Sequence, residues 1–131
     1  MTSTLKLVIY MAVLAWLTSL VAGLVRVRGW TFSGTMLAFG NRDNLPVATP
    51  FAGRAERTAR NTFDNFALFA VIALVAHAVG ATSPKIATGA EIFFWARVLY
   101  IPVYYAGIIY LRTAVWTISI VGLAMMIVAI L

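Results

Sequence analysis

The stretch Arg54–Phe66 reads Arg-Ala-Glu-Arg-Thr-Ala-Arg-Asn-Thr-Phe-Asp-Asn-Phe and continues into an apolar segment with no glycine or proline between them. Three arginines, Asn61 and Asp64 therefore fall on the first turns of a predicted membrane helix. Polar and ionisable groups are costly at membrane depth, and they usually mark a functional site. The rest of the sequence must distinguish such a site from a helix end that only anchors the protein at the membrane surface.

The composition is that of an integral membrane protein. The 131 residues are 63% hydrophobic and 11% charged, whereas an ordinary soluble domain is about 45–50% apolar and about 25% charged. This length suits one domain. The chain has no cysteine, which excludes disulfides and thiolate metal sites. Any thiol chemistry therefore needs a thiol supplied by a ligand, and we expect no metal.

The positive charge of the chain is concentrated in one region. The formal net charge is +6, which raises the possibility of a nucleic-acid partner. Clustered basic residues beside apolar segments instead set the orientation of a membrane protein, so we expect no nucleic-acid binding. Six of the ten basic residues lie between the first two apolar segments, namely Arg26, Arg28, Arg42, Arg54, Arg57 and Arg60.

Four apolar segments predict an all-α bundle of four transmembrane helices in a single domain, residues 1–131. Leu7–Val25 has no charged residue, and it is long enough to span and too long for a typical signal sequence. Gly80 is placed to end the second helix, and Ser83 and Pro84 are placed to begin the third. The predicted helices cover about residues 5–25, 53–79, 84–110 and 114–131.

The predicted connections differ in length and charge. The long one covers residues 26–52, and the short ones cover about 80–83 and 111–113. With Arg112, the end that holds the long loop carries seven arginines, while the opposite end carries only Lys6 and Lys85. Because cytoplasmic loops are enriched in Lys and Arg, we predict a cytoplasmic long loop and both termini outside.

Polar residues recur on one face of the second helix. Arg57, Arg60, Asn61 and Asp64 are spaced by three or four positions, so they share that face. Glu56 and Asp64 are both placed to pair with Arg60. The alternative is a solvated helix end whose arginines reach the headgroups. Asn61 and Asp64 weigh against it, because neither can reach out in this way nor bind anionic lipid.

A second polar face lies on the third helix, where Arg97, Tyr100 and Tyr104 follow at i, i+3 and i+7. Arg97 falls near the middle of that helix and needs a carboxylate, a carbonyl or water there. One alternative is that Arg97 pairs with Asp64 or Glu91 and only fixes helix register. A paired Arg97 is also compatible with a role in lining a site.

These groups converge near the cytoplasmic interface if the bundle is compact. Arg26 at the end of the first helix and Arg112 at the start of the fourth lie at the same level. Arginines present planar forks to carboxylates or phosphates, and Asp64 suits an ammonium group. This inventory fits a small zwitterionic peptide with two carboxylates and one ammonium group. Apolar surface between the helices suits a lipophilic second substrate.

The motifs Arg57-x-x-Arg60-Asn61-x-x-Asp64 and Arg97-x-x-Tyr100-x-x-x-Tyr104 resemble the MAPEG family, the membrane-associated proteins of eicosanoid and glutathione metabolism. The segment from Gly40 to Pro46 looks like the first loop of its short bacterial members. The resemblance covers most of the chain. It implies a homotrimer of four-helix subunits in a bacterial inner membrane, with glutathione bound between neighbouring subunits near the cytoplasmic face.

The resemblance also implies roles for individual residues. Arg26 and Arg112 match arginines at the end of helix one and the start of helix four, and are the implied catalytic residues, with Arg112 stabilising a thiolate. Asp64 stands where better-studied members have glutamate. The implied glutathione contacts are Arg57, Arg60, Asn61, Asp64, Arg97, Tyr100 and Tyr104.

The implied activity is that of a membrane-bound glutathione transferase or peroxidase. A nearby arginine lowers the pKa of the glutathione thiol by favouring the thiolate. The thiolate then attacks a lipophilic electrophile or reduces a hydroperoxide. The alternative is a non-catalytic protein of the same fold that binds glutathione or lipid. A small multidrug transporter is disfavoured, because those carry a carboxylate in helix one and Leu7–Val25 has none.

Overall fold

The computed structural model describes residues 1–131 and consists of helices and short connections. Four of the helices are long and apolar enough to cross a membrane. The fold is therefore the predicted all-α bundle of four spans. In chain order the helices are α1 (Ser3–Val27), α2 (Phe32–Phe39), α3 (Pro50–Ala78), α4 (Pro84–Tyr105) and α5 (Ile109–Ile130).

Helix α3 is longer than a membrane crossing requires. Its 29 residues extend over roughly 43 Å at 1.5 Å per residue, whereas the hydrocarbon core is about 30 Å thick. The charged residues of α3 lie in its N-terminal half and end at Asp64, and after Asn65 the only polar residue of the helix is His77. The surplus of about 13 Å, or about nine residues, carries the first turns of α3, with Arg54 and Arg57, beyond the hydrocarbon core.

Threonines set the start of three helices. Thr2, Thr31 and Thr49 precede α1, α2 and α3, and the hydroxyl of each accepts a hydrogen bond from the backbone amide three residues later. Such caps satisfy amides that have no partner within the helix. Ser83 occupies the predicted N-cap position of α4, but its side chain makes no capping hydrogen bond. The proline at Pro84 fixes the first turn instead.

Helix α3 ends at the predicted glycine. Gly80 has φ +67°, and its amide donates to the carbonyl of His77 at 3.1 Å. The amide of Ala81 donates to the carbonyl of Ala76 at 3.0 Å. This pair of bonds is the usual way in which a left-handed glycine closes a helix.

The same motif closes α4 earlier than the sequence predicted. Gly107 has φ +76°, and the Ile108 amide reaches back to the carbonyl of Val103 at 3.3 Å. The predicted end of this span near residue 110 is wrong, because α4 ends at Tyr105 and α5 begins at Ile109. Arg112 consequently lies on the first turn of α5 and not in a loop.

Arg54 fastens this turn to α3. Its Nε donates to the carbonyl of Tyr105 at 3.0 Å, and its side chain lies against Gly107. A cation at the C-terminus of a helix is favourable because the last carbonyls lack partners there. Arg54 therefore joins α3 to the α4–α5 turn.

Helix α2 lies inside the predicted long loop. Its residue Gly34 packs directly on the backbone carbonyls of Val27 and Arg28, where a Cβ would collide. The sequence did not reveal this helix because Gly29, Gly34 and Gly40 read as turn signals. In the structure, Gly34 instead allows α2 to pack closely on the end of α1.

Close helix packing holds the bundle together. Helix α4 packs mainly on α5, and α1 mainly on α3. A Cβ on Gly89 or Gly122 would lie 2.6 Å from the carbonyl oxygen of the other residue. Small residues of this kind let membrane helices approach closely. Between α3 and α4, the rings of Phe69 and Phe93 stack with centroids 4.6 Å apart.

Candidate functional site

A cavity of about 380 Å³ lies between α3, α4 and α5, at the end of the bundle where α3 begins. It brings together seven of the nine predicted site residues and adds Thr113 and Trp116. Helix α3 contributes four lining residues, α4 contributes two and α5 contributes three. The lining consists of Arg57, Arg60, Asn61, Asp64, Tyr100, Tyr104, Arg112, Thr113 and Trp116.

Arg57 is held at the cavity wall by α4. Its Nε donates to the hydroxyl of Tyr104 at 3.1 Å. The guanidinium also lies back over Gly53, where a Cβ would be 3.2 Å from Nη1. The missing side chain at Gly53 gives Arg57 the room for this conformation. Nε is thus committed to Tyr104, while the terminal nitrogens make no hydrogen bond within the chain.

Arg60 and Asp64 do not pair with each other. Arg60 Nη2 instead lies 3.1 Å from Glu56 Oε1, and the two side chains are 71% and 57% exposed. Such exposed pairs contribute only about 0–1 kcal/mol, so Arg60 can exchange Glu56 for a ligand anion at small cost. Asp64 is the one acidic residue that lines the cavity, and its carboxylate forms no ion pair.

Asn61 is oriented by its neighbour one turn later. The buried Asn65 donates from Nδ2 to the Asn61 carbonyl at 2.9 Å and to Asn61 Oδ1 at 3.3 Å. Because the side-chain oxygen of Asn61 is engaged by Asn65, its Nδ2 remains a free donor at the cavity wall.

Two tyrosines and two arginines form a column beside the cavity. The Arg97 guanidinium carbon lies 4.2 Å from the Tyr100 ring centroid, and that of Arg112 lies 4.6 Å from the Tyr104 centroid. The two rings meet edge to face with centroids 5.5 Å apart. Each cation–π contact is worth about 0.5–2 kcal/mol. Tyr104 is thereby fixed by two contacts: its ring lies against the Arg112 guanidinium, and its hydroxyl accepts a hydrogen bond from Arg57.

Arg97 itself lies behind Tyr100 and not on the cavity surface. It is 0% exposed, and its Nη2 donates to the hydroxyl of Thr62 at 3.1 Å. It pairs with neither Asp64 nor Glu91, and its Nε and Nη1 have no hydrogen-bond partner. Within the chain, Arg97 therefore supports a ring that lines the cavity.

Arg26 lies outside this cavity. It lines a second cavity of about 310 Å³ formed by the end of α1, by α2 and by the start of α3. The two predicted catalytic residues, Arg26 and Arg112, therefore belong to different cavities within one chain.

The two lining residues that the sequence did not reveal follow directly from the start of α5. Thr113 is adjacent to Arg112. Trp116 follows Arg112 by one helical turn, so Trp116 and Arg112 share a face of α5. A fourth helix that begins at residue 114 leaves Arg112 and Thr113 outside it, so it does not predict that Trp116 lies beside them. A start at Ile109 would have predicted Trp116 as a neighbour of Arg112.

A sequence model of the MAPEG family matches residues 4–131, nearly the whole chain. The chain belongs to the MAPEG family. No curated protein matches the chain in a sequence search. MAPEG membership agrees with the four spans, and it supports a membrane function related in general to glutathione or eicosanoids.

Proposed function

We propose that this MAPEG protein is a membrane-bound glutathione-dependent transferase or peroxidase whose glutathione site is the cavity between α3, α4 and α5. The observation that carries the proposal is the charge arrangement. Three arginines and one unpaired carboxylate line the cavity, a formal charge of 3 − 1 = +2. Glutathione at neutral pH has two carboxylates and one ammonium group, so each ligand charge has a protein group of opposite sign.

The proposed contacts with glutathione use cavity atoms that make no hydrogen bond within the chain or, at Arg60, only an exposed ion pair. Asp64 accepts the ammonium group, because it is the only anion at the cavity. The terminal nitrogens of Arg57, together with Arg60, take the carboxylates as charge-assisted hydrogen bonds. The Nδ2 of Asn61 donates to a peptide carbonyl of the ligand. Arg97 acts as a positioning residue, because it holds the Tyr100 ring from behind.

Arg112 supports the chemistry. A free thiol of this kind has a pKa near 8.5, and an adjacent cation lowers it. The glutathione thiol gives its proton to water, and the guanidinium of Arg112 stabilises the sulfur anion that remains. In the transferase reaction the sulfur electron pair forms a bond to the electrophilic carbon, and the leaving group departs with the electrons of its broken bond. Trp116 offers apolar surface for a lipophilic substrate.

We also propose that the active unit is a homotrimer in which a neighbouring subunit completes the site. Arg26 lies in the other cavity of its own chain, so it can serve this site only from a neighbour. The seven arginines at this end of the bundle favour a cytoplasmic location for it, in a bacterial inner membrane. Both termini then lie on the side of the membrane away from the cytoplasm.

Binding of two ligands to the wild type and to one variant tests the role of Asp64. Glutathione and its analogue without the amino group are titrated against purified protein, with the thermal transition as readout. Loss of a charge-assisted hydrogen bond of about 1.5–3 kcal/mol weakens binding by about 10–100-fold. We expect this loss for glutathione in Asp64→Asn and no loss for the analogue. Lys85→Gln, at the opposite end of the bundle, should bind both as the wild type does.

Conjugation of an aryl halide separates catalysis from binding. We expect the wild-type protein to form the glutathione conjugate, and Arg60→Ala to lose glutathione binding. Glutathione binding without conjugation or hydroperoxide reduction would favour the alternative, a non-catalytic glutathione- or lipid-binding protein of the same fold. Unchanged glutathione affinity in both Asp64→Asn and Arg60→Ala would refute the assignment of the site.

A further inference from the structure

We propose that the second cavity binds the phosphate of an anionic phospholipid headgroup. It encloses about 310 Å³ and lies between the end of α1, α2 and the start of α3. Arg26 and Arg28 line it together with the hydroxyl residues Thr31, Ser33 and Thr49, and no acidic residue does. It shares no lining residue with the proposed glutathione site. In the proposed trimer Arg26 also serves a neighbour's glutathione site, so the phosphate site is tested at Arg28, which has no role in glutathione binding.

The corner that carries Arg28 is rigid. Arg28 ends α1 with φ +53°, and its carbonyl accepts a hydrogen bond from the Thr31 hydroxyl at 2.8 Å. The same hydroxyl accepts from the Gly34 amide at 3.0 Å. Gly34 packs on the backbone of Val27 and Arg28 with no room for a side chain. Arg28 therefore projects from a fixed point at the wall of the cavity.

The charges at the cavity are not neutralised within the chain. The single ion pair of the chain joins Arg60 to Glu56, so Arg26 and Arg28 have no carboxylate partner. Arginine forks match the geometry of phosphate oxygens. Thr31 and Thr49, the N-caps of α2 and α3, also line the cavity. The starts of these two helices add the partial positive charge of their unpaired amides.

The surface beside the cavity indicates that the phosphate belongs to a lipid. Large apolar side chains on α2 and just before it are open to the surroundings, with Trp30 70%, Phe32 82% and Phe39 83% exposed. Aromatic residues at the end of a span are typical of the membrane–water interface, and basic pockets between membrane helices bind anionic headgroups. The aromatic side chains of α2 then enter the acyl boundary while the cavity lies at headgroup depth.

Quenching of tryptophan fluorescence by brominated phospholipid tests the proposal. Purified protein in detergent is titrated with brominated phosphatidylglycerol or phosphatidylcholine, and the difference between the wild type and Trp30→Phe isolates the Trp30 signal. We expect the wild type to prefer phosphatidylglycerol by about tenfold, the usual value of one charge-assisted contact. Arg28→Gln should lose this preference, Arg28→Lys should keep part of it, and Lys85→Gln should keep all of it.

Three results would overturn the proposal. The first is equal quenching by both lipids in the wild type. The second is stabilisation of the thermal transition by inorganic phosphate with no quenching of Trp30 by either lipid, which would indicate a free-anion site. The third is a Trp30 signal unaffected by lipid in a protein whose copies crosslink through α2, which would show that a second copy covers this surface. Unchanged thermal unfolding of Arg28→Gln excludes misfolding, since glutamine meets the same backbone strain as arginine.

Discussion

At the scale of single residues, the sequence did not predict how deeply Arg97 lies within the bundle. The spacing of Arg97, Tyr100 and Tyr104 correctly placed them on one face. A helical face, however, runs from the membrane surface into the bundle, and spacing alone gives no depth along it. The Arg97 guanidinium donates to the Thr62 hydroxyl and lies against the ring of Tyr100. The Tyr100 ring separates it from the cavity.

Replacement of Arg97 by methionine should separate stability from function. Two of its nitrogens are buried without partners, and exchange of buried charges for apolar side chains is often neutral or stabilising. We expect an unchanged or higher Tm. Loss of the cation–π contact should weaken glutathione binding by about 2–30-fold. A lower Tm with unchanged glutathione affinity would mean that Arg97 has a purely structural role.

The hydroxyl of Tyr104 is a second test at this scale. Tyr104→Phe removes the acceptor of Arg57 Nε but keeps the ring under Arg112. A hydrogen bond to a charged group contributes about 1.5–3 kcal/mol when buried, and this partly open one should contribute less. We expect glutathione affinity to fall by about 3–10-fold. Tyr110→Phe, at an exposed tyrosine outside the cavity, is the matched control. Equal affinities in the two variants would contradict the role given to Arg57.

At the scale of helices, the sequence predicted the four spans because each holds a long stretch with few charges. It did not predict where α4 ends, because the apolar pattern continues through the turn on both sides of Gly107. It also missed α2, whose glycine serves close packing and not a turn. In both cases the decisive information was backbone geometry between elements.

Glycine substitutions test the helix ends. Gly80 and Gly107 both have positive φ, and a Cβ at Gly80 would meet nothing within 4 Å. Alanine in this conformation costs about 1–2 kcal/mol, so thermal unfolding of Gly80→Ala and Gly107→Ala should occur at lower temperature. Gly40→Ala should leave it unchanged, because Gly40 has φ −83°. Equal unfolding temperatures in all three variants would contradict the two glycine closures.

The α4–α5 contact positions Arg112 against Tyr104, and Gly122→Ala tests it. The added Cβ would lie 2.6 Å from the Gly89 carbonyl oxygen, so the helices must separate. We expect lower thermal stability and weaker glutathione binding, measured on the same preparation. In Gly23→Ala the new Cβ meets only one atom, at 3.9 Å, and alanine favours the helix by about 0.5–1 kcal/mol. If Gly122→Ala is as stable as Gly23→Ala, the close packing is refuted.

At the scale of the whole molecule, the polar residues of α3 form a site only together with residues of α4 and α5. The sequence assigned Arg57, Arg60, Asn61 and Asp64 to one face, and the structure places that face against Tyr104 and Arg112. Arg26 could not be separated from this group by sequence, because its level in the membrane is the same. The packing of α2 against the end of α1 and the start of α3 shows that Arg26 belongs to another cavity.

Ionisation of bound glutathione shows whether Arg112 activates the thiol. The ultraviolet absorbance of the thiolate is followed against pH for glutathione bound to the wild-type protein and to Arg112→Gln. We predict that the thiol bound to the wild type titrates well below the free value of about 8.5, and that Arg112→Gln returns it towards that value while glutathione remains bound. Bound glutathione that titrates like the free thiol, or equally in both proteins, would contradict activation of the thiol by Arg112.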